Sequence, residues 1–291
     1  MNNTVKDMNN LVATFDDVAK VLGFNGVTVP TIGVPDTKPF VVEIEGTDRS
    51  GKQSQSEKLC SYLESKGLTV KIVSFPRYDR KSCDGIKDYL GGRYGSVNDL
   101  DAYKSSMLYI YDRLNYTMTD WVEDKENYDV IIFDRWVGSN LIHQGVKSNN
   151  LNKFIAWETN LEYNVLNLPR PNMTIFLDMP IDLGKKIAKN RLNKANGSSK
   201  QDIHESNDEY MNKCYETAHE VAKKCGWFTV KCYKKFLWKK KVRTIEDISN
   251  EITSIINLPI SHYKRIISGE SIEDIIKELM DSDKTMIVKE N

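Results

Sequence analysis

Short, uniformly apolar runs alternate with helical patterns along most of the chain. The strand-like runs are Phe40–Ile44, Thr69–Ser74, Val130–Phe133, Met173–Leu177 and Phe228–Cys232. Between them, apolar residues recur at helical spacing over Lys52–Lys66 and Leu100–Val122. Uniformly apolar strands separated by helices are typical of a parallel sheet covered on both faces. The pattern therefore predicts an α/β fold, a doubly wound five-stranded parallel sheet with helices on both faces.

Both ends of the chain depart from this pattern. Before the first strand, one helical candidate, Asp16–Leu22, is followed by prolines at positions 30, 35 and 39, which are typical of a linker. After Leu258 one amphipathic candidate remains, Ile272–Met280. The predicted segments are an N-terminal extension over 1–38, a main domain over 39–257 and a C-terminal extension over 258–291.

The composition excludes several classes of protein. Basic and acidic side chains balance at 41 each, so net charge gives no reason to expect a nucleic-acid or membrane partner. No apolar run approaches the ~20 residues that span a bilayer, and Met1–Val12 lacks the apolar core of a signal peptide. Five cysteines without a C-x-x-C pair are more typical of reduced thiols than of disulfides or zinc. We expect a soluble protein of the cytoplasm.

A phosphate-binding motif follows the first strand. Its residues are Gly46, Thr47, Asp48, Arg49, Ser50, Gly51 and Lys52, which match G-x-x-x-x-G-K between a strand and a helix. Glycines let such a loop turn sharply and close its N–H groups on phosphate oxygens, and Lys52 adds a full positive charge. An ordinary glycine-rich turn is the alternative.

The residue after the lysine departs from this motif. Ser or Thr normally stands there and binds Mg²⁺, whereas this chain has Gln53. The amide oxygen of Gln53 could bind the metal, the hydroxyl of Ser54 could replace it, or water and carboxylates could hold it. The sequence leaves these three possibilities open.

Charged residues follow the third strand. Asp134 comes directly after it, at the edge where parallel strands bring their carboxyl ends together. A carboxylate there can hold hydrated Mg²⁺, and the planar guanidinium of Arg135 can grip a second phosphate. The alternative is a structural ion pair between the two side chains.

An aromatic and a basic residue share one helix face, because Tyr109 and Arg113 lie four residues apart in a helical pattern. The ring can stack on a pyrimidine, and the guanidinium can bond the edge of that base. The alternative places Tyr109 in the core beside Leu108 and pairs Arg113 with a nearby acid.

The ordered motifs resemble those of thymidylate kinases. The run from Phe40 to Gln55 carries the Glu-Gly-x-Asp-Arg prefix that marks this family among P-loop kinases. The later matching segments are Phe75-Pro76-Arg77-Tyr78, Tyr109 to Arg113, Asp134-Arg135-Trp136, Leu168-Pro169-x-Pro171-Asn172 and Asp202-Ile203-His204-Glu205. The resemblance extends to Ile256.

The resemblance implies a homodimeric kinase that uses ATP and Mg²⁺ to phosphorylate dTMP, a step toward dTTP. The implied dTMP contacts are Asp48, Phe75, Pro76, Tyr78, Tyr109, Arg113, Arg135, Ser139, Asn140, His204 and Glu205. The implied catalytic residues are Arg49, Lys52 and Arg135. The implied ATP contacts are the loop from Gly46 to Ser54 and Arg191, which packs on the adenine. The candidate metal ligands are Asp134 and Gln53.

Further expectations concern a lid near 191–205 and the acceptor sugar. An arginine inside the loop, Arg49, is typical of members that keep their catalytic arginine there and not in the lid. In the family, Asp48 faces the sugar 3′-hydroxyl. His143 stands where bacterial members commonly have Tyr near the sugar, so discrimination against a 2′-hydroxyl stays open.

Three rival functions remain. The chain could phosphorylate another deoxynucleoside monophosphate, or bind nucleotide without catalysis because of Gln53, or bind nucleic acid through its extensions. The basic run Lys231–Arg243, with Tyr233 and Trp238 interleaved, permits a nucleic-acid contact. The balanced overall charge instead favours a solvated strand-to-helix connection there.

Overall fold

The computed structural model describes residues 39–187, 203–204, 207–236, 239–271 and 274. Strands β1 to β7 are Phe40–Glu45, Val70–Ser74, Val130–Asp134, Met173–Asp178, Phe228–Lys231, Tyr233–Phe236 and Lys239–Val242. Helices α1 to α9 are Lys52–Ser65, Asp84–Leu90, Ala102–Met118, Asp120–Asn127, Val137–His143, Leu151–Thr159, Ile181–Ile187, Asp208–Lys224 and Ile245–Ile267. Across these ranges, no helix is both long and apolar enough to cross a membrane.

One parallel sheet has the strand order β2-β3-β1-β4-β5. It confirms the predicted fold class, and every predicted strand is present. β1, β3 and β4 are buried along their whole length, as expected of central strands covered on both faces. Ile44 lies opposite Asp134 in the register, so the loops that follow β1 and β3 begin side by side.

Helices cover both faces of this sheet. On one face, α1 and α9 contribute to a core cluster with Ile44 and Ile132. On the other face, Tyr116 of α3 packs edge-on against Phe133 with ring centroids 6.0 Å apart, and α8 covers Phe176. Each large apolar side chain buried in this way stabilises the fold by about 1.5–3 kcal/mol relative to exposure.

The predicted long helix Leu100–Val122 is divided into two. α3 ends at Met118, and Thr119 leaves the helical region with φ −120° and ψ −92° before α4 begins at Asp120. Arg77 Nη1 donates to Asp120 at 3.0 Å, so a buried guanidinium after β2 fixes the start of α4. Helical periodicity does not reveal this break, because its cause lies in a distant segment.

The predicted domain boundary after residue 257 falls inside α9. Ile260 is 5% exposed and Tyr263 is fully buried, and Tyr263 Oη donates to the carbonyl oxygen of Asp129 at 2.8 Å. The packed domain therefore extends past the predicted boundary. The candidate helix Asp16–Leu22, and all but one residue of Ile272–Met280, lie outside the described residues.

The basic run Lys231–Arg243 contains an antiparallel hairpin, β6 paired with β7, where a solvated connection was expected. Tyr233 pairs with Val242, and both rest against the core. Lys234 Nζ lies 3.2 Å from a carboxylate oxygen of Asp247 in α9. Apolar contacts at its base thus attach the hairpin to the domain.

Candidate active site

The phosphate-binding loop connects β1 to α1 as predicted. Gly46 has a φ of 155°, and a Cβ at this position would lie 2.7 Å from Ser50 Oγ and 3.0 Å from the carbonyl oxygen of Leu177. Gly51, just before α1, has a φ of 92°. Glycine is therefore required at Gly46 by the close approach of β4 and at Gly51 by the left-handed backbone.

Lys52 is folded back over this loop. Its side chain is buried, and Nζ donates to the carbonyl oxygens of Gly46 at 2.8 Å and Thr47 at 2.9 Å. Burial, together with repulsion from Arg135, lowers the pKa of Lys52 to about 8. An anion beside Nζ would offset both effects, so the site favours a phosphate at this position.

Arg135 lies across the same loop. Its Nη2 donates to Asp48 Oδ1, and its Nη1 is 3.5 Å from the carbonyl oxygen of Gly46. Burial raises the pKa of Asp48, but attraction from Arg135 outweighs it and holds that pKa well below its usual range. The arginine is thus paired with Asp48 in the loop, not with Asp134 as the alternative interpretation had it.

The backbone of the loops is strained where these charged groups stand. Arg49 has a φ of 66° and Arg135 a φ of 72°, both in the left-handed region. Such a conformation costs non-glycine residues of the order of 1–3 kcal/mol and is concentrated at functional sites. Surrounding contacts therefore hold both arginines where an unconstrained chain would not.

Asp134 fits a role as a magnesium ligand. Asp134 is 5% exposed, and its charge stabilises the protonated form of Lys52. Within the described ranges, no group of three or more His, Cys, Asp or Glu side chains could hold a metal. Gln53 donates from Nε2 to Glu57 Oε1 at 3.0 Å along α1. The oxygen donors present thus suit a metal shared between one carboxylate, water and nucleotide phosphates.

A buried acid pair beneath the loop was not predicted. Glu45 accepts from the Trp136 backbone N–H at 2.8 Å and from Ser139 Oγ at 2.8 Å. Glu43 accepts from the Gly138 backbone N–H at 2.9 Å, and its burial, together with the charge of Glu45, raises the pKa of Glu43 to about 8. The pair fixes the chain just after Arg135. Its signal in the sequence is two acids at alternate positions of an otherwise apolar strand.

Arg113 on α3 is enclosed by acids. Its Nε and Nη2 donate to the two carboxylate oxygens of Glu162 at 2.6 Å each, and Nη2 is 3.5 Å from Glu158 Oε1. Nη1 donates to the carbonyl oxygen of Trp136 at 3.3 Å. The alternative that Arg113 pairs with an acid is therefore confirmed. A contact with a base stays a prediction and rests on one further N–H of Nη1.

The aromatic residues predicted to contact the base differ in how deeply they are buried. Phe75 is 6% exposed and packs against Trp136 at 4.8 Å, so it belongs to the core cluster more than to a cleft. A cis peptide bond joins it to Pro76. Tyr109 and Tyr78 are partly buried and pack together against the α2 cluster. Their contacts with substrate remain predictions.

Two stacked histidine rings extend from Arg135, and the second, His204, lies in the range predicted to form the lid. The rings of His143 and His204 are stacked, 6.2 Å apart and 11° from parallel, and His143 Nε2 lies 3.4 Å from Arg135 Nη1. Burial lowers the pKa of His143 to about 4 and that of His204 to about 3, so both are neutral. Arg191 and Glu205 lie outside the described residues.

Together these features identify the class of protein. A glycine-rich loop with a buried lysine between β1 and α1, beside a carboxylate at the end of the neighbouring parallel strand, is the arrangement of P-loop phosphotransferases. A solved thymidylate kinase from Candida albicans has the same fold, with a TM-score of 0.56 at 20% identity. The match covers 77% of this chain and 94% of that one.

Sequence comparison narrows this class to one family. A family model described as thymidylate kinase matches residues 44–239. The thymidylate kinase of Mycobacterium tuberculosis is 28% identical over 192 residues, which are 65% of this chain and 87% of that protein. The thymidylate kinase of Caldicellulosiruptor saccharolyticus is 26% identical over 219 residues, or 75% and 95% of the two chains. The chain belongs to the thymidylate kinase family.

Proposed function

We propose that this protein transfers the γ-phosphate of ATP to dTMP and so forms dTDP. One observation supports this most directly: Lys52 Nζ and Arg135 Nη1 both approach the carbonyl oxygen of Gly46, at 2.8 Å and 3.5 Å. Two cations this close repel each other, and the repulsion lowers the pKa of Lys52. Phosphates that meet end to end between them relieve it, as the donor and acceptor of a phosphoryl transfer do.

The chain's residues then have distinct roles. Lys52 and the loop N–H groups hold the β- and γ-phosphates, and Arg135 holds the phosphate of dTMP. Asp48 faces the sugar 3′-hydroxyl, and Arg49 neutralises charge on the transferred group. The attacking phosphate oxygen is already anionic, so no strong general base is needed. Position and charge therefore account for the catalysis.

Asp134 would hold Mg²⁺ together with water and phosphate oxygens. When bound, the metal supplies positive charge that neutralises the phosphate oxygens. The buried carboxylate beside Lys52 supports this assignment. We further propose that Arg191 packs on the adenine and that the lid excludes water from the transfer.

The base of dTMP is proposed to lie along α3. Tyr109 stacks on the ring, with Tyr78, Phe75 and Pro76 beside it, and Arg113 donates to the base edge. The partly buried state of Tyr109 and Tyr78 supports this placement. Ser139, Asn140, His204 and Glu205 complete the predicted acceptor site.

A coupled assay of ADP release on dTMP, dUMP, dCMP and dGMP tests the proposal. We expect a higher kcat/KM with dTMP than with dCMP or dGMP, because the proposed contacts fit a pyrimidine with an imide edge. Preference for dGMP contradicts it. Thermal stabilisation by dTMP with no ADP release would instead indicate a nucleotide-binding protein without catalysis.

We also propose a homodimer that forms through α3. Tyr103, Met107, Tyr111 and Met118 recur at helical spacing, and their exposed fractions are 42%, 49%, 54% and 60%. A second copy is the natural cover for such an apolar stripe. Light scattering should give twice the 33.4 kDa chain mass, and Met107→Glu should give the single mass. Leu258→Glu, at an exposed position on α9, is the matched control and should leave the mass unchanged.

A cytoplasmic location is proposed on the state of the thiols. All five cysteines are free. Free, mostly buried thiols suit a reducing compartment. Fractionation of cells that produce the full chain tests this, and recovery in an oxidising compartment contradicts it.

A further inference from the structure

The amide of Asn140 on α5 has a fixed orientation. Its Nδ2 donates to Glu158 Oε1 on α6 at 2.6 Å and to the carbonyl oxygen of Ser106 on α3 at 3.4 Å. Asn140 is 1% exposed and Glu158 is fully buried. A backbone carbonyl can only accept, so the nitrogen of the amide, not its oxygen, must face these two groups. Asn140 Oδ1 therefore faces the opposite way.

Glu158 is the stronger of the two contacts that set this orientation. Its Oε1 also lies 3.5 Å from Arg113 Nη2, so one oxygen serves two donors. Its Oε2 is buried and has no hydrogen-bond partner. Burial, with the charge of Glu162 next, raises the pKa of Glu158 well above its usual range. Oε1 is therefore the oxygen that holds the Asn140 amide.

Asn140 and Arg113 contact the same oxygen, Glu158 Oε1, so an amide that carries an acceptor and a guanidinium that carries a donor are neighbours. Asn140 Oδ1 can only accept a hydrogen bond, and the remaining N–H of Arg113 Nη1 can only donate one. Thymine and uracil present the complementary edge, an N3–H donor beside the O4 acceptor. Cytosine presents the opposite edge, an N3 acceptor beside a 4-amino donor, and leaves both protein groups unpaired.

We propose that Glu158 is a positioning residue that holds the Asn140 amide with its oxygen toward the base and thereby selects thymine over cytosine. The inference rests on the proposed function, because it requires the base to lie between α3 and α5. It assigns selectivity to a residue that does not touch the substrate. Among the hydrogen bonds between described residues, the 3.4 Å contact with Ser106 is the one that still orients the amide when Glu158 is removed.

The test compares kcat and KM for dTMP and dCMP in the wild type, Glu158→Leu and Glu158→Gln. We expect Glu158→Leu to raise the KM for dTMP about tenfold with little change in kcat, the effect of one hydrogen bond of about 1.4 kcal/mol. The ratio of kcat/KM for dTMP to that for dCMP should fall by at least the same factor. Glu158→Gln should restore both values, because its Oε1 can still accept from Asn140.

Retention of the wild-type dTMP/dCMP ratio by Glu158→Leu would overturn the inference. A general loss of packing would lower kcat on both substrates equally and leave the ratio unchanged. If Glu158→Leu does not fold, Glu158→Met, with a flexible side chain of similar length, carries the same expectation. Glu209→Leu, at an exposed acid on α8, is the control and should match the wild type. If the wild type itself does not phosphorylate dTMP, the proposed function fails first.

Discussion

The two ends of the proposed acceptor site treat their arginines in opposite ways. At the phosphate end, Arg135 stands on strained backbone, is paired with one carboxylate and repels Lys52. At the base end, Arg113 is 2% exposed and bound by both oxygens of Glu162 at 2.6 Å. The phosphate end thus retains positive charge that an anionic ligand can neutralise. At the base end, the charge of Arg113 is already balanced within the protein, and the paired side chains hold the proposed base-recognition groups in place.

Removal of charge at the phosphate end should affect catalysis most. We expect Lys52→Met to lower kcat/KM by about 10³-fold, because the loop then lacks the cation that stabilises the transferred group. The thermal unfolding temperature should stay close to that of the wild type. Lys153→Met, at an exposed lysine of α6, is the matched control and should keep full activity. A loss below tenfold in Lys52→Met would contradict the role of this lysine.

The two arginines themselves give the sharpest contrast in stability. Arg113→Leu leaves Glu162 buried without its partner and should lower the free energy of unfolding by about 3–5 kcal/mol. Arg135→Leu removes a pair whose side chains are 19% and 25% exposed and also relieves repulsion of Lys52, so its loss should be the smaller of the two. Urea unfolding measures both values. Equal losses would show that the two ends do not differ in the way described.

The pH dependence of ATP use should show a smaller effect at the phosphate end. Since the pKa of Lys52 is lowered to about 8, the free enzyme loses this charge as the pH rises through 8. We expect log kcat/KM for ATP to be flat below that pH and to fall above it with a slope near −1.

Lys52→Arg serves as the test of that assignment, because its guanidinium stays protonated and should abolish the fall. Lys147 also has a pKa lowered to about 8, by burial, but contacts Tyr89 and not the loop. Lys147→Arg should therefore keep the fall. The reverse pattern would assign the titration to Lys147.

Local patterns were enough to predict the sheet and the phosphate end. The strands follow from apolar runs, and the position of Arg135 follows from the rule that parallel strands end at one edge. Asp48 and Lys52 belong to one contiguous motif, so the local sequence is enough to predict that they lie close together. The pairing of Arg135 with Asp48 was not predicted, because it depends on the left-handed backbone at Arg135.

The base end could not be predicted in the same way. Glu158 and Glu162 stand in a helical stretch that carries no motif. Only the packing of α6, and of the π-helical turn Asn160–Val165 that follows it, makes them partners of Arg113 and Asn140. The division of the long helix at Thr119 has a similar cause, a contact from Arg77. In each case the deciding interaction joins residues far apart in the chain.

The last helix, α9, determines how far the protein can be truncated at its C-terminal end. The match to the family model ends at residue 239, whereas α9 begins at Ile245 and brings the ring of Tyr263 to 5.5 Å from that of Phe40. A protein truncated at residue 239 would lack α9. The apolar face of the sheet that α9 covers would then be exposed to solvent and prone to aggregate. The segment needed for a stable domain is therefore longer than the segment that the family model matches.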